Sequence, residues 1–167
     1  MRKPVLAFCG WGRAGKDTCA EWFRDHTPLK FAGGCSYTIL PLVAEARGES
    51  LEYAWETRHQ NRQWWYEFCN EYRKHDPARL VRDCLAHSDI VCGIRDGFEL
   101  KAVVAEGLTD LTIWVNKPGT EKDTTVTYEE KDCDISISNS GSIEDLHRKL
   151  ERLAISLGLE VLTTPAP

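Results

Sequence analysis

The stretch Gly10-Trp11-Gly12-Arg13-Ala14-Gly15-Lys16, followed by Asp17-Thr18, carries the plainest chemistry in the chain. Its spacing is G-x-x-x-x-G-K. Gly10, Gly12 and Gly15 permit backbone conformations and close approaches that a side chain would block. The N–H groups of such a loop, together with the N-terminus of the helix that follows, favour phosphate oxygens. A lysine in the place of Lys16 reaches the β- and γ-phosphates, and a nearby hydroxyl approaches magnesium. Here the hydroxyl comes at Thr18, with Asp17 in between. The pattern implies ATP with Mg²⁺ held from Gly10 to Thr18, with Thr18 and Asp17 as the metal-facing residues. Lys16 is the expected catalytic cation. Arg13, inside the loop, either contacts the γ-phosphoryl or faces solvent. A glycine-rich turn with an adventitious lysine is the alternative, and the strand before and helix after argue against it.

A phosphate loop needs a buried strand to anchor it and a helix to receive it. Pro4 to Cys9 is a short apolar run ending at glycine, which predicts a buried parallel strand. Lys16 to His26 has helical spacing and is closed by Pro28. Leu29 to Ala32 reads as a second short strand, and a helix is expected from Gly33-Gly34 to Ala46, stopped by Gly48. Residues 51 to 86 read as mostly helical, with Pro77 opening a separate helix. Asp89 to Ile94 and Leu111 to Val115 are further strands around a helix from Phe98 to Glu106. Residues 116–132 read as a mobile, lid-like loop. Ile135 and Ile137 mark a last strand before a helix from Ile143 to Leu157, and Glu160 to Leu162 reads as an edge strand before a frayed tail. Alternating strands and helices predict one α/β domain over residues 1–167. Its parallel sheet is covered on both faces, in three layers, with residues 48–86 as a helical insert on the acceptor side.

Several of these residues recur in a known family. G-K-D-T after an N-terminal strand resembles the deoxynucleoside monophosphate kinases of tailed bacteriophages. The likeness continues through Phe31-Ala32, the strand ending in Ile94-Arg95 with Glu99, and Asp134-x-x-Ile137-x-Asn139-x-Gly141-Ser142-x-x-x-Leu146. It implies a P-loop NTPase fold of the nucleoside monophosphate kinase type, ATP and Mg²⁺ as cofactors, and a backbone contact to adenine near Asn139. Ser142 as a plain helix cap is the other reading of that segment. Two departures stand out. Gly93 stands where that family has an acidic residue for magnesium, with Asp89 and Asp96 as conceivable substitutes. Residues 116–132 contain no arginine, although a closing lid normally brings arginines to the transferring phosphoryl. G-I-R-x-x-x-E, preceded by Asp76-Pro77-Ala78-x-Leu80, is similar to the phage 5-hydroxymethyluracil DNA kinases of thymine hypermodification. That likeness implies DNA as partner, with a free deoxynucleotide as the alternative acceptor and an acceptor-free ATPase or nucleotide-binding module as a rival of another class.

Tyr53 to Arg82 holds six basic residues against four acidic ones in a chain of net charge −5, with Trp55, Trp64, Trp65, Tyr66 and Tyr72 interleaved. Basic and aromatic residues together suit nucleotides or nucleic acid. Helical spacing puts Trp64 and Phe68 in the core, and Arg58, Arg62 and Trp65 on the acceptor side. Arg95 leaves a strand at the carboxyl edge, where α/β sheets place ligands, and is expected to be catalytic. An alcohol acceptor needs a base, for which Asp17 is nearest in sequence and Asp96, assigned to the acceptor side, comes next. His59 has a lesser claim to the site through Arg58 beside it. The acidic balance argues against non-specific coating of nucleic acid or membrane. Seven scattered cysteines without C-x-x-C spacing read as free thiols of a reducing, cytoplasmic compartment, in an infected host cell if the chain is phage-encoded. The first apolar run is too short for a signal peptide or membrane span. The sequence leaves the oligomeric state, a homodimer included, open.

Overall fold

The computed structural model describes residues 2–163. Four strands form one all-parallel sheet in the order β2-β1-β3-β4: β1 is Leu6–Cys9, β2 Ile90–Cys92, β3 Leu111–Asn116 and β4 Ile135–Ser138. Pairing aligns Leu6 with both Ile90 and Leu111, and Ile113 with Ile135. β1 is therefore an inner strand, and every residue of it is buried, as its uninterrupted apolar sequence requires of a sheet covered on both faces.

Alternate residues of β1 point to opposite faces, and each face has its own core. Leu6 and Phe8 pack with Ala20, Phe23, Leu146 and Leu150, from helices α1 (Lys16–His26) and α7 (Ile143–Ser156). Ala7 and Cys9 face the core built by α2 (Cys35–Arg47), α3 (Leu51–Glu56), α4 (Arg62–Arg73), α5 (Arg79–Leu85) and α6 (Gly97–Ala105). The expected α/β architecture with helices on both faces is thus present, with seven α-helices among the described residues. None of these helices is long and apolar enough to cross a membrane.

Helix boundaries follow local chemistry. Thr27 ends α1 by donating its hydroxyl to the Phe23 carbonyl at 2.6 Å. Gly48 ends α2 in the left-handed region, at φ 64°. Ser142 caps α7 reciprocally with Asp145, so the capping role expected for this serine is present. Residues 51–86 are mostly helical as expected, in three helices, the last of them after Pro77.

Three expected features differ. Leu29 to Ala32 forms no strand; the Lys30 carbonyl accepts a hydrogen bond from Asp89 N–H at 2.8 Å, too little for a ladder. Glu160 to Leu162 also forms none and is tied down by Leu162 N–H donating to His26 O at 2.8 Å. The last four residues of the expected tail lie outside the described residues. The loop 116–132 is only partly lid-like. Val126 and Tyr128 are buried, the Tyr128 hydroxyl donates to Ile94 O at 2.8 Å, and Thr127 N–H donates to Arg95 O at 3.0 Å. These apolar anchors escape a reading of the loop as a polar tract.

Candidate active site

All four strands run the same way, so their carboxyl ends deliver Gly10, Gly93-Ile94-Arg95, Asn116 and Asn139 to one edge. Because β1 lies between β2 and β3, its glycine loop emerges with Arg95 on one side and Asn116 and Asn139 on the other. The loop's shape depends on its glycines. At Gly10 (φ 138°) a Cβ would lie 2.7 Å from the Val115 carbonyl oxygen; at Gly15 (φ 101°) it would lie 2.6 Å from the Asn139 amide. Arg13, at φ 65°, is the only non-glycine with positive φ among the described residues. Such strain persists only where the surroundings enforce it, and it clusters at functional sites.

Asn139 braces the loop by donating Nδ2–H to the Ala14 carbonyl at 3.0 Å. Trp11 turns its ring edge-on to Trp114, at 6.0 Å and 81°, so it offers the loop its backbone rather than its side chain. The Lys16 ammonium folds back on the Gly10 carbonyl at 2.6 Å. Burial, then the charge of Arg95, lowers the Lys16 pKa, so an incoming anion would relieve both penalties at once.

The glycine loop is the wall between two cavities. One, of about 450 Å³, is lined by Gly15, Thr18, Lys117, Asn139 and Gly141. The other, of about 310 Å³, is lined by Gly12, Arg58, His59, Arg62, Trp65 and Arg95, with Gly93 and Thr125. Arg13, Lys16 and Asp17 border both. The structure thus brings together Gly10 to Thr18, Arg95, Arg58, Arg62 and Trp65, which are scattered over more than eighty residues of sequence. Trp65 is nearly buried, and Arg58 lies over the Trp55 ring at 3.8 Å. Trp64 and Phe68 stack in parallel at the margin of the core instead of inside it, because only Trp65 of that pair of turns faces inward. The His59 pKa is lowered by burial, then by Arg58, Arg62 and Arg13, a sign of concentrated positive charge.

Two expected carboxylates are not available to the site. Asp96 caps α6, accepting Glu99 N–H at 2.8 Å, and pairs with Arg73 at 3.3 Å. It holds structure instead of serving as a base. Asp89 lies at the amino end of β2, where it accepts Lys30 N–H at 2.8 Å, on the edge opposite the glycine loop. Asp17, exposed on the first turn of α1, is left as the carboxylate of the 450 Å³ groove beside Thr18. No group of three or more His, Cys, Asp or Glu side chains suited to a metal occurs among the described residues. One hydroxyl and one carboxylate fit Mg²⁺, which binds through one or two protein ligands plus substrate phosphates.

Residues not expected from the sequence complete the second cavity. Asp123, from the 116–132 loop, is 8% exposed and pairs with Arg62 at 2.6 Å and Arg95 at 2.9 Å. Burial pushes its carboxyl up, but the Thr125 hydroxyl and N–H, then Arg95 and Arg62, outweigh that and hold it at about 2. Behind it, Arg73 and the fully buried Glu99 form an ion pair, and Glu99 also accepts Arg95 N–H at 3.2 Å. This pair joins α4 to the turn that carries Arg95. The motif I-R-x-x-x-E held Glu99 in view; nothing local marked Asp123. Neither a protein-family model nor a curated protein matches the sequence, so the functional reading rests on this geometry.

Proposed function

We propose that the chain is an ATP-dependent kinase of the P-loop type that transfers the γ-phosphoryl to a deoxynucleotide acceptor. The carrying observation is the glycine loop as a shared wall between two cavities, with Lys16 bordering both. ATP lies along the Asn139 side, and the acceptor enters the arginine side. A parallel sheet with the loop at the carboxyl end of an inner strand, opening onto a helix N-terminus, supports the nucleotide assignment.

The acceptor oxygen attacks the γ-phosphorus, the bond to the β,γ-bridging oxygen breaks, and ADP leaves. Catalysis of this kind is mostly positioning and charge stabilisation. Lys16 and the loop N–H groups take the charge on the β- and γ-phosphates, and Arg95 and Arg62 face the transferring group from the acceptor side. Thr18 and Asp17 would hold Mg²⁺, which supplies further charge neutralisation when bound. An alcohol acceptor must lose its proton; Asp17 borders both cavities and takes that proton in the arrangement where Thr18 alone of the protein side chains meets the metal.

The favoured acceptor is the hydroxymethyl of 5-hydroxymethyluracil within DNA. Basic and aromatic side chains around the arginine cavity, Arg58, Arg62, Trp65 and Tyr66, suit a base drawn out of the stack. A free deoxynucleoside monophosphate is the second reading, favoured by the cavity's volume of about 310 Å³, near the lower end for small-ligand sites. Radiolabelled ATP offered in parallel to free deoxynucleotides, unmodified DNA and hydroxymethyluracil DNA distinguishes the two. Label in the modified DNA alone supports the first. Label in the free nucleotide alone supports the second. Steady ATP hydrolysis with no labelled acceptor refutes both in favour of an ATPase.

A further inference from the structure

The Asp123 carboxylate is held by five donors, two of them guanidinium N–H groups. Its Oδ2 accepts three donors: Gly12 N–H at 3.1 Å, Arg62 at 2.6 Å and Arg95 at 2.9 Å. Oδ1 accepts the Thr125 N–H at 3.1 Å and its hydroxyl at 2.6 Å. Two guanidinium groups and a glycine-loop N–H converge on one oxygen from the turn after β2, from α4 and from the loop after β1. A Cβ on Gly12 would sit 3.1 Å from that oxygen and 3.2 Å from Arg62, so the side-chain-free residue keeps the seat open.

We infer that Gly12, Arg62 and Arg95 form a phosphate subsite, and that Asp123 fills it as an internal anion which a substrate phosphate must displace. The inference rests on the phosphoryl-transfer reading for the identity of the ligand. A phosphate oxygen matches the seat's donors and adds charge, and charge-assisted hydrogen bonds to guanidinium are the strong ones. Two negative groups cannot share it, since like charges in one site disfavour each other's ionised form.

The loop is built so that Asp123 can leave without unfolding it. Downstream, buried Val126 and Tyr128, with Thr127 bonded to Arg95 O, pin the chain. Upstream, Lys117, Pro118, Gly119, Glu121 and Lys122 are exposed. Displacement swings the tip and leaves the anchor. Because Asp123 ionises at about 2, protonation does not release it near neutral pH. Competition by another anion does.

The phosphate has two candidate sources, the γ-phosphoryl of the nucleotide and a phosphate of the acceptor. Calorimetric titration of the full chain separates them. The probes are β,γ-imido-ATP, ADP, thymidine 5′-monophosphate and a short single-stranded oligodeoxynucleotide. Each is bound to the parent and to Asp123→Asn, which keeps the side-chain shape and removes the charge. At least tenfold tighter binding of β,γ-imido-ATP with ADP unchanged supports the subsite and assigns it to the γ-phosphoryl. Tenfold tighter binding of the monophosphate or oligonucleotide supports it and assigns it to the acceptor. Unchanged or weaker binding of all four overturns it. Thr125→Val, which loosens Asp123 without removing it, is expected to give a smaller shift of the same sign, and circular dichroism confirms that both variants are folded. No turnover enters these measurements. Tightening in a protein that never transfers label leaves the subsite standing and sinks the kinase; transfer by a protein whose Asp123→Asn variant binds no tighter does the reverse.

Discussion

Replacing Arg95 by alanine separates a functional cation from a structural one, because the two roles predict losses of different size. The Arg95 guanidinium is 27% exposed, and its partners are Asp123 at 2.9 Å and Thr125 Oγ1 at 3.2 Å. Its removal does not strand Asp123, which keeps Arg62, Gly12 N–H and both Thr125 donors. The stability cost is therefore that of a partly exposed ion pair, up to about 1 kcal/mol. For a chain of this length, that corresponds to a fall in Tm of about 2–4 °C. The backbone N–H of residue 95 still bonds Glu99, so the turn keeps its shape. If the guanidinium instead meets charge developing in the transition state, its loss costs about 3–4 kcal/mol, a fall of roughly 10²–10³-fold in turnover. The assay is phosphoryl transfer under saturating ATP, paired with a thermal melt on the same preparation. Arg95→Lys, which keeps the charge but not the fork, is expected to fall between parent and Arg95→Ala. Turnover within about threefold of the parent would refute the catalytic assignment. So would a variant that melts far earlier while its folded fraction works normally.

Lys16→Ala is expected to abolish transfer and leave the circular dichroism spectrum unchanged, because the ammonium's one side-chain hydrogen bond is to Gly10 O and both burial and the charge of Arg95 work against its charged form. With DNA as acceptor, apparent affinity is expected to fall with rising salt, and Arg58→Ala with Arg62→Ala to flatten that slope while ADP affinity holds; a slope unchanged in the double variant counts against the arginine cavity as the DNA contact. Asp123 sets an acid limb in the stability profile. Its folded carboxyl titrates at about 2 against an ordinary 3.8, so the unfolded chain protonates first as pH falls. The stabilisation is complete above about pH 4 and lost between pH 4 and pH 2, and chemical denaturation of Asp123→Asn across that range is expected to show a shallower decline.

Short-range order in this protein was legible from the sequence wherever it rests on spacing along the chain. The limits of α1 follow from the glycine loop before it and Pro28 after it. β1 is an uninterrupted apolar run buried along its whole length, and β3 carries the apolar stretch Ile113 to Val115, so both strands stand out from their composition. Leu29 to Ala32 reads as a strand for the same local reason, since its composition fits one, but whether a ladder forms depends on what the chain beside β2 offers as a partner. The glycine loop could be recognised because its function lies in backbone conformation at consecutive residues. Asp96 and Asp89 show the limit of that logic. Both are carboxylates near Arg95 in sequence, yet a helix cap uses one and the far end of β2 removes the other from the site. Asp123 is 111 residues from Gly12 in sequence and 3.1 Å from it in space. Nothing in the polar tract around it marks it, since an acidic side chain in such a tract is ordinarily solvated. Its role was decided by tertiary structure alone: the sheet order places β2 and β1 side by side, the buried Tyr128 fixes where the loop returns, and two arginines and a backbone N–H then find their negative partner there.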